Sequence, residues 1–323
     1  MQMNKLFIGS TLLASMLQGP LAFAEVTNIN QYKGTASVSQ GATKALTDNL
    51  FDCESGYSRI ARVGEVTSSD GLVWQMPASN QYTTAPKAFD LYEQCTGVTP
   101  SSLKSVYSDN VPVVTIDEEG EEVTGYIFAD NYFELYINGK LIAVDSVPFT
   151  PFNSSIVKFK VSKPYTIAVK VIDWEENLGL GSESNRGSKY HPGDGGFIAS
   201  FSDGTVTSGD WLAQTFYTSP IFDFSCLSEK EGARLSENCS TEGSKQGDQA
   251  YALHWKTPDD WMAESFDASG WPKATLYTER VIGVNNKNAY MNFKEKFSGA
   301  GASFIWSTNV VLDNEVLLRY TVK

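Results

Sequence analysis

Histidine is almost missing from this chain of 323 residues: His191 and His254 are the only two. Any Ser-His-Asp or Cys-His apparatus would have to use one of them, and neither stands in a nucleophile motif. No GxSxG, HExxH, P-loop or GxGxxG at a strand–helix junction occurs. Positive charge is also scarce, with 25 Lys and Arg against 38 Asp and Glu, a net charge of −13 and no basic cluster. Nucleic acid and anionic membranes are therefore poor partners, because phosphate binding needs concentrated Lys or Arg. Helical heptads are absent. No segment approaches the roughly 20 apolar residues of a membrane-spanning helix.

What is present begins with a leader. Lys5 gives a basic start, Leu6–Leu17 is largely apolar, and Ala22-Phe23-Ala24 forms a small-x-small cleavage site before Glu25. Residues 1–24 therefore read as a secretory signal peptide, which predicts a secreted, periplasmic or cell-surface protein. Four cysteines, Cys53, Cys95, Cys226 and Cys239, suit such a compartment as two disulfides with three possible pairings. Cys53–Cys95 and Cys226–Cys239 are favoured, since each closes a loop within its own region. No CxxC or Cys/His spacing points to zinc.

The remaining chain reads as β-structure. In Phe128–Val144, Phe133, Leu135 and Ile137 alternate with Tyr132, Glu134 and Tyr136, the period of a half-buried strand. Asn138-Gly139 follows, a pair suited to positive φ at both centres of a type I′ turn, and Leu141–Val144 returns as a hairpin. Val157, Phe159 and Val161 alternate with Lys158 and Lys160, and Tyr165, Ile167, Val169 and Val171 repeat the pattern. Residues 25–110 read as a polar leader and a small subdomain stapled by Cys53–Cys95, with Ala88–Gln94 as one or two helical turns. Asp173–Gly196 is a 24-residue stretch with six glycines and no periodicity. Loops of that length are usually functional or disordered.

The hairpin, the segment Trp261–Pro272 (WMAESFDASGWP), Phe304–Trp306, and Leu312-Asp313-Asn314-Glu315-Val316 with Leu318-Arg319 resemble galactose-binding-like jelly-roll domains. The resemblance covers residues 111–323. It implies an all-β, antiparallel jelly-roll β-sandwich of the kind often attached to carbohydrate-active enzymes. One sandwich hosts many functions, so it specifies fold more than activity.

Four functional expectations follow. The first is a non-enzymatic module binding a glycan or cell-surface component through Trp174, Arg186, Tyr190 and Asp194, where aromatic faces stack on sugar rings and polar groups satisfy hydroxyls. The second is Ca²⁺ held by hard oxygens of Asp173, Glu175 and Asp194, although the spacing lacks the D-x-[DN]-x-[DN]-G signature. The third is copper held by His191 and His254 with Trp255 adjacent. The fourth is a glycoside hydrolase using a carboxylate pair such as Glu175 and Asp194. No residue pattern specifies an oligomeric state.

Overall fold

The computed structural model describes residues 32–41, 43–53, 59–150, 152–184, 189–242 and 249–323. The leader and Arg186 lie outside the described residues. Two seven-stranded sheets dominate, and almost all of their pairings are antiparallel. The first sheet runs in the order β1 (Ser37–Gln40), β16 (Tyr251–His254), β13 (Leu212–Ile221), β19 (Asp313–Val322), β11 (Tyr165–Ile172), β8 (Tyr132–Ile137) and β9 (Lys140–Val144). The second runs β17 (Thr275–Tyr277), β18 (Phe304–Trp306), β12 (Gly196–Phe201), β7 (Glu121–Asp130), β10 (Asn153–Val161) and β5 (Phe89–Tyr92). Its remaining strand, β6 (Val113–Thr115), lies parallel to the far end of β10.

The alternating residues read from the sequence meet between these sheets. Phe133, Leu135 and Ile137 of β8, Ile167, Val169 and Val171 of β11, and Val157, Phe159 and Val161 of β10 share one apolar core. The protein is thus an all-β antiparallel sandwich. Asn138 and Gly139 take φ of 49° and 80°, and the hairpin closes with Ile137 opposite Lys140. That is the two-residue turn the Asn-Gly pair predicts. The disulfides are Cys53–Cys95 and Cys226–Cys239.

The N-terminal segment carries a small sheet of β2 (Lys44–Thr47), β3 (Val63–Thr67) and β4 (Val73–Met76). On either side of it, β1 and β5 are edge strands of the two large sheets. The helical turns expected over Ala88–Gln94 are instead strand β5, which pairs with β10 through Phe89, Asp90 and Tyr92. A free edge on β10 and a buried Leu91 outweigh local propensity there. A hairpin of β14 (Ser228–Lys230) and β15 (Ala233–Leu235) sits near the second disulfide. The one α-helix among the described residues, α1 (Asn288–Met291), is a single turn. No helix among the described residues is long and apolar enough to cross a membrane.

Candidate functional site

The outer face of the first sheet should be polar and wet, and it is neither exposed nor plain. Every residue of β8 is buried, including Tyr132, Glu134 and Tyr136 on the face away from the sandwich core. Two segments cover this face. The small sheet brings Trp74 on β4, and the stretch after β16 brings Trp255, Trp261 and Met262. Arg319 on β19 anchors that second segment, donating to the carbonyls of Trp261 and of Ala263 at 3.0 Å. The segment WMAESFDASGWP thus lies as a cover tied to the closing strand.

Between the covers is a cleft of about 640 Å³. Its floor is a row of side chains on neighbouring strands. His254 lies opposite Tyr217, Tyr217 opposite Glu315, and Lys170 opposite Glu134. Register shifts in β13 where Tyr217 meets Glu315, one residue beyond Thr215–Val316, so Phe216 has no partner on β19. Phe216 and Tyr217, consecutive in sequence, both line the cleft. An extra residue in one strand re-aims side chains in this way.

The charges on the floor are paired. Lys170 Nζ lies 3.4 Å from Glu315 and donates to Ser79 O at 2.6 Å. Glu134 accepts from the hydroxyls of Tyr132 at 3.1 Å and Tyr136 at 2.7 Å, and from the Gln81 amide. Burial pushes the Glu315 carboxyl up while Lys170 draws it back. His254 is stacked between Trp74 at 5.1 Å and Tyr217 at 5.2 Å, and shares a 2.7 Å hydrogen bond with Ser39. Burial holds its imidazole down to about 3, so the ring is neutral at physiological pH. Tyr136 and Trp261 meet edge to face at 5.4 Å, and Trp74 is half-buried at the rim.

A second cleft, about 420 Å³, opens beside the glycine-rich stretch 173–196. It is acidic: Asp130, Asp173, Glu183 and Asp194 line it with Arg59, His191 and Lys287. Burial and mutual repulsion push Asp130 and Asp173 well above the usual carboxylate range, and burial pushes Asp194 up to about 6. Arg59 pairs with Glu183, whose backbone exchanges two hydrogen bonds with His191. Glycine is required where this stretch folds in. At Gly195 a β-carbon would overlap the Trp306 ring, and at Gly181, with φ of 58°, it would overlap the Ser219 backbone.

Most of the residues chosen from sequence do not meet. Trp174 is fully buried, packed on Tyr132 at 5.6 Å, with its indole N–H donated to Arg62 O at 3.1 Å. It is a core residue with no face open to a sugar, which corrects its reading as a stacking platform. Tyr190 is half-buried and does not line the acidic cleft, whereas Asp194 does. Asp173 and Asp194 share that cleft, but Glu175 turns inward to the Tyr217 hydroxyl at 2.8 Å and the Gly179 amide. The three therefore do not form one calcium site, and Glu175 and Asp194 do not face each other across a cleft. His191 and His254 line different clefts, so they do not form a copper pair. Among the described residues, no three His, Cys, Asp or Glu side chains converge as metal ligands.

The sequence reading missed the aromatic cleft because its residues come from strands and covers far apart in the chain. The signals were present in the outward Tyr132-x-Glu134-x-Tyr136 of β8 and in consecutive Phe216-Tyr217, but only register brings them together. No family model, curated protein or solved structure matches the chain.

Proposed function

We propose that this chain is an exported, non-enzymatic binding protein that takes a carbohydrate in the aromatic cleft on the outer face of the first sheet. One observation carries the reading. A concave cleft of about 640 Å³ combines Trp74, Tyr136, Trp261 and Met262 with a few fixed charges, Glu134, Lys170 and Glu315. Ligand sites are typically of this size and kind, with apolar walls and a small number of placed polar groups. The C–H faces of a sugar ring suit Trp74 at the rim, and its hydroxyls suit the charged row below. The two disulfides suit an oxidising compartment outside the cytoplasm, as the leader predicts. The resemblance of 261–272 and 304–319 to galactose-binding-like domains supports the same reading, and membership of that family is part of the proposal.

The test is a glycan and polysaccharide binding screen of the purified protein beside Trp74→Ala and Glu134→Gln. Binding that both variants lose while keeping their fold supports the cleft. Binding that neither variant alters places the ligand elsewhere.

A second reading rests on the acidic cleft, where perturbed carboxyls in a concavity are a recurring mark of catalytic sites. Asp194, pushed up to about 6, would be the acid of a hydrolase. Turnover of a glycoside substrate abolished by Asp194→Asn without unfolding would favour this reading, and absence of turnover would remove it.

A further inference from the structure

Away from both clefts, Glu93 and Asp145 are fully buried, and neither forms an ion pair with Lys or Arg among the described residues. Glu93 follows β5, Asp145 follows β9, and Asn153 and Ser154 open β10. Pairing of Tyr92 with Ser154 brings these ends together.

One oxygen of each carboxylate is engaged. Glu93 Oε1 accepts from the Cys95 amide at 2.7 Å. Asp145 Oδ1 accepts from Asn153 Nδ2 at 2.7 Å and from the Val147 amide at 3.2 Å. These bonds fix both groups and leave Asp145 Oδ2 and Asn153 Oδ1 buried with no hydrogen-bond partner, and Glu93 Oε2 with none beyond Thr150 and Asn153. Thr150 and Asn153 lie within hydrogen-bonding reach of Glu93, Asn153 also bonds Asp145, and Glu93 is the charge that acts most strongly on Asp145, so these four residues form one cluster. Buried polar atoms are normally satisfied, and an unmet one calls for an unseen partner.

Nearby groups do not supply that partner. Asp90 is another acid, and its oxygens are already bonded by Ser146 and by Thr96 at 2.7 Å. Lys87 acts on Asp145 through its charge without an ion pair, because its ammonium turns to the carbonyls of Tyr82 and of Ala85 at 3.2 Å, over the Tyr82 ring. Burial pushes Glu93 up to about 7 and Asp145 well above the usual range.

We propose that Glu93, Asp145, Thr150 and Asn153 bind a hard divalent cation, with Ca²⁺ the best match. The donors are all oxygen, and the two carboxylates match its charge. Ca²⁺ accepts carboxylate, amide and other oxygen ligands in flexible sets of six to eight, so water or main-chain carbonyls complete the shell. The ion pins β5, residues 145–150 and β10 beside the Cys53–Cys95 bridge. It thereby ties the first sheet to the second and to the N-terminal segment. This site is separate from the Asp173–Asp194 cleft.

The test is calorimetric titration of EDTA-treated protein with CaCl₂, with thermal melting in Ca²⁺ and in EDTA. One Ca²⁺ per chain and a melting point raised by several degrees are expected, since a ligand that binds only the folded state stabilises it. Glu93→Gln and Asn153→Ala should each weaken binding at least tenfold while remaining folded in EDTA by circular dichroism. Asn153→Ala changes no charge and carries the test if Glu93→Gln does not fold. Asp173→Asn should bind as the parent does. Melting indifferent to EDTA with no heat of Ca²⁺ binding would overturn the proposal, leaving Glu93 and Asp145 as a protonated pair. Loss of binding in Asp173→Asn alone would also overturn it, by placing the ion in the acidic cleft.

Discussion

Asp313 and Asp145 are both fully buried carboxylates at strand ends, and they are treated in opposite ways. Asp313 accepts from four hydroxyls: Thr215 at 2.9 Å, Thr218 at 2.8 Å, Ser236 at 3.0 Å and Ser307 at 2.6 Å. Burial raises it only to about 6, because those donors oppose the rise. Asp145 takes both of its N–H donors, from Val147 and Asn153, on one oxygen, lies beside the Glu93 carboxyl, and has no donor on its other oxygen. The first is a finished structural network. The second is complete only if something positive enters. Burial alone therefore does not mark a functional carboxylate; an unmet oxygen is what calls for a partner.

The largest expected effect breaks the finished side. Asp313→Ala strands three buried hydroxyls, those of Thr215, Thr218 and Ser236, while Ser307 keeps Asn309; the cost is about 1–3 kcal/mol for each group left unsatisfied and only partly additive. Chemical denaturation should show a loss of about 3–5 kcal/mol that Ca²⁺ does not restore. Next comes the cleft floor: Lys170→Met leaves Glu315 buried without its cation. Removing one partner of a buried pair costs about 3–5 kcal/mol, here toward the lower figure because Lys170 also bonds Ser79 O. A loss under about 1 kcal/mol would mean the pair is solvated.

A smaller effect is expected from acidity on the unfinished side. Glu93 is raised from 4.5 to about 7, so the folded metal-free chain holds this proton more tightly than the unfolded chain. Its contribution is full below about pH 4.5 and is lost as pH rises to 7. Melting in EDTA should fall across that window, and Ca²⁺ should recover more at pH 8 than at pH 5. Glu93→Gln should flatten the slope in EDTA. The smallest stability change is expected for Trp74→Ala, about 1 kcal/mol from a half-buried side chain, paired with loss of ligand.

Local pattern carried much of the fold. Asn138-Gly139 announces its hairpin because few other pairs take positive φ twice, and Val157-x-Phe159-x-Val161 can only face one way. Both disulfides were legible because each closes its own region. The sites were not. Trp174 and Tyr190 bracket a long loop, which suggests a binding edge, but the loop folds inward and buries Trp174 against Tyr132. The outer face of β8 reads as solvent-exposed because nothing local says that Trp74 and Trp261 will cover it. Glu93 and Asp145 look like two of many acids until β5 pairs with β10.

The most direct test of the account is a binding measurement with the best glycan from the screen, comparing the parent with Trp74→Ala and Asp194→Asn. Trp74→Ala should lower affinity at least tenfold, and Asp194→Asn should bind normally. Affinity lost in Asp194→Asn and kept in Trp74→Ala would contradict it, moving the site to the acidic cleft.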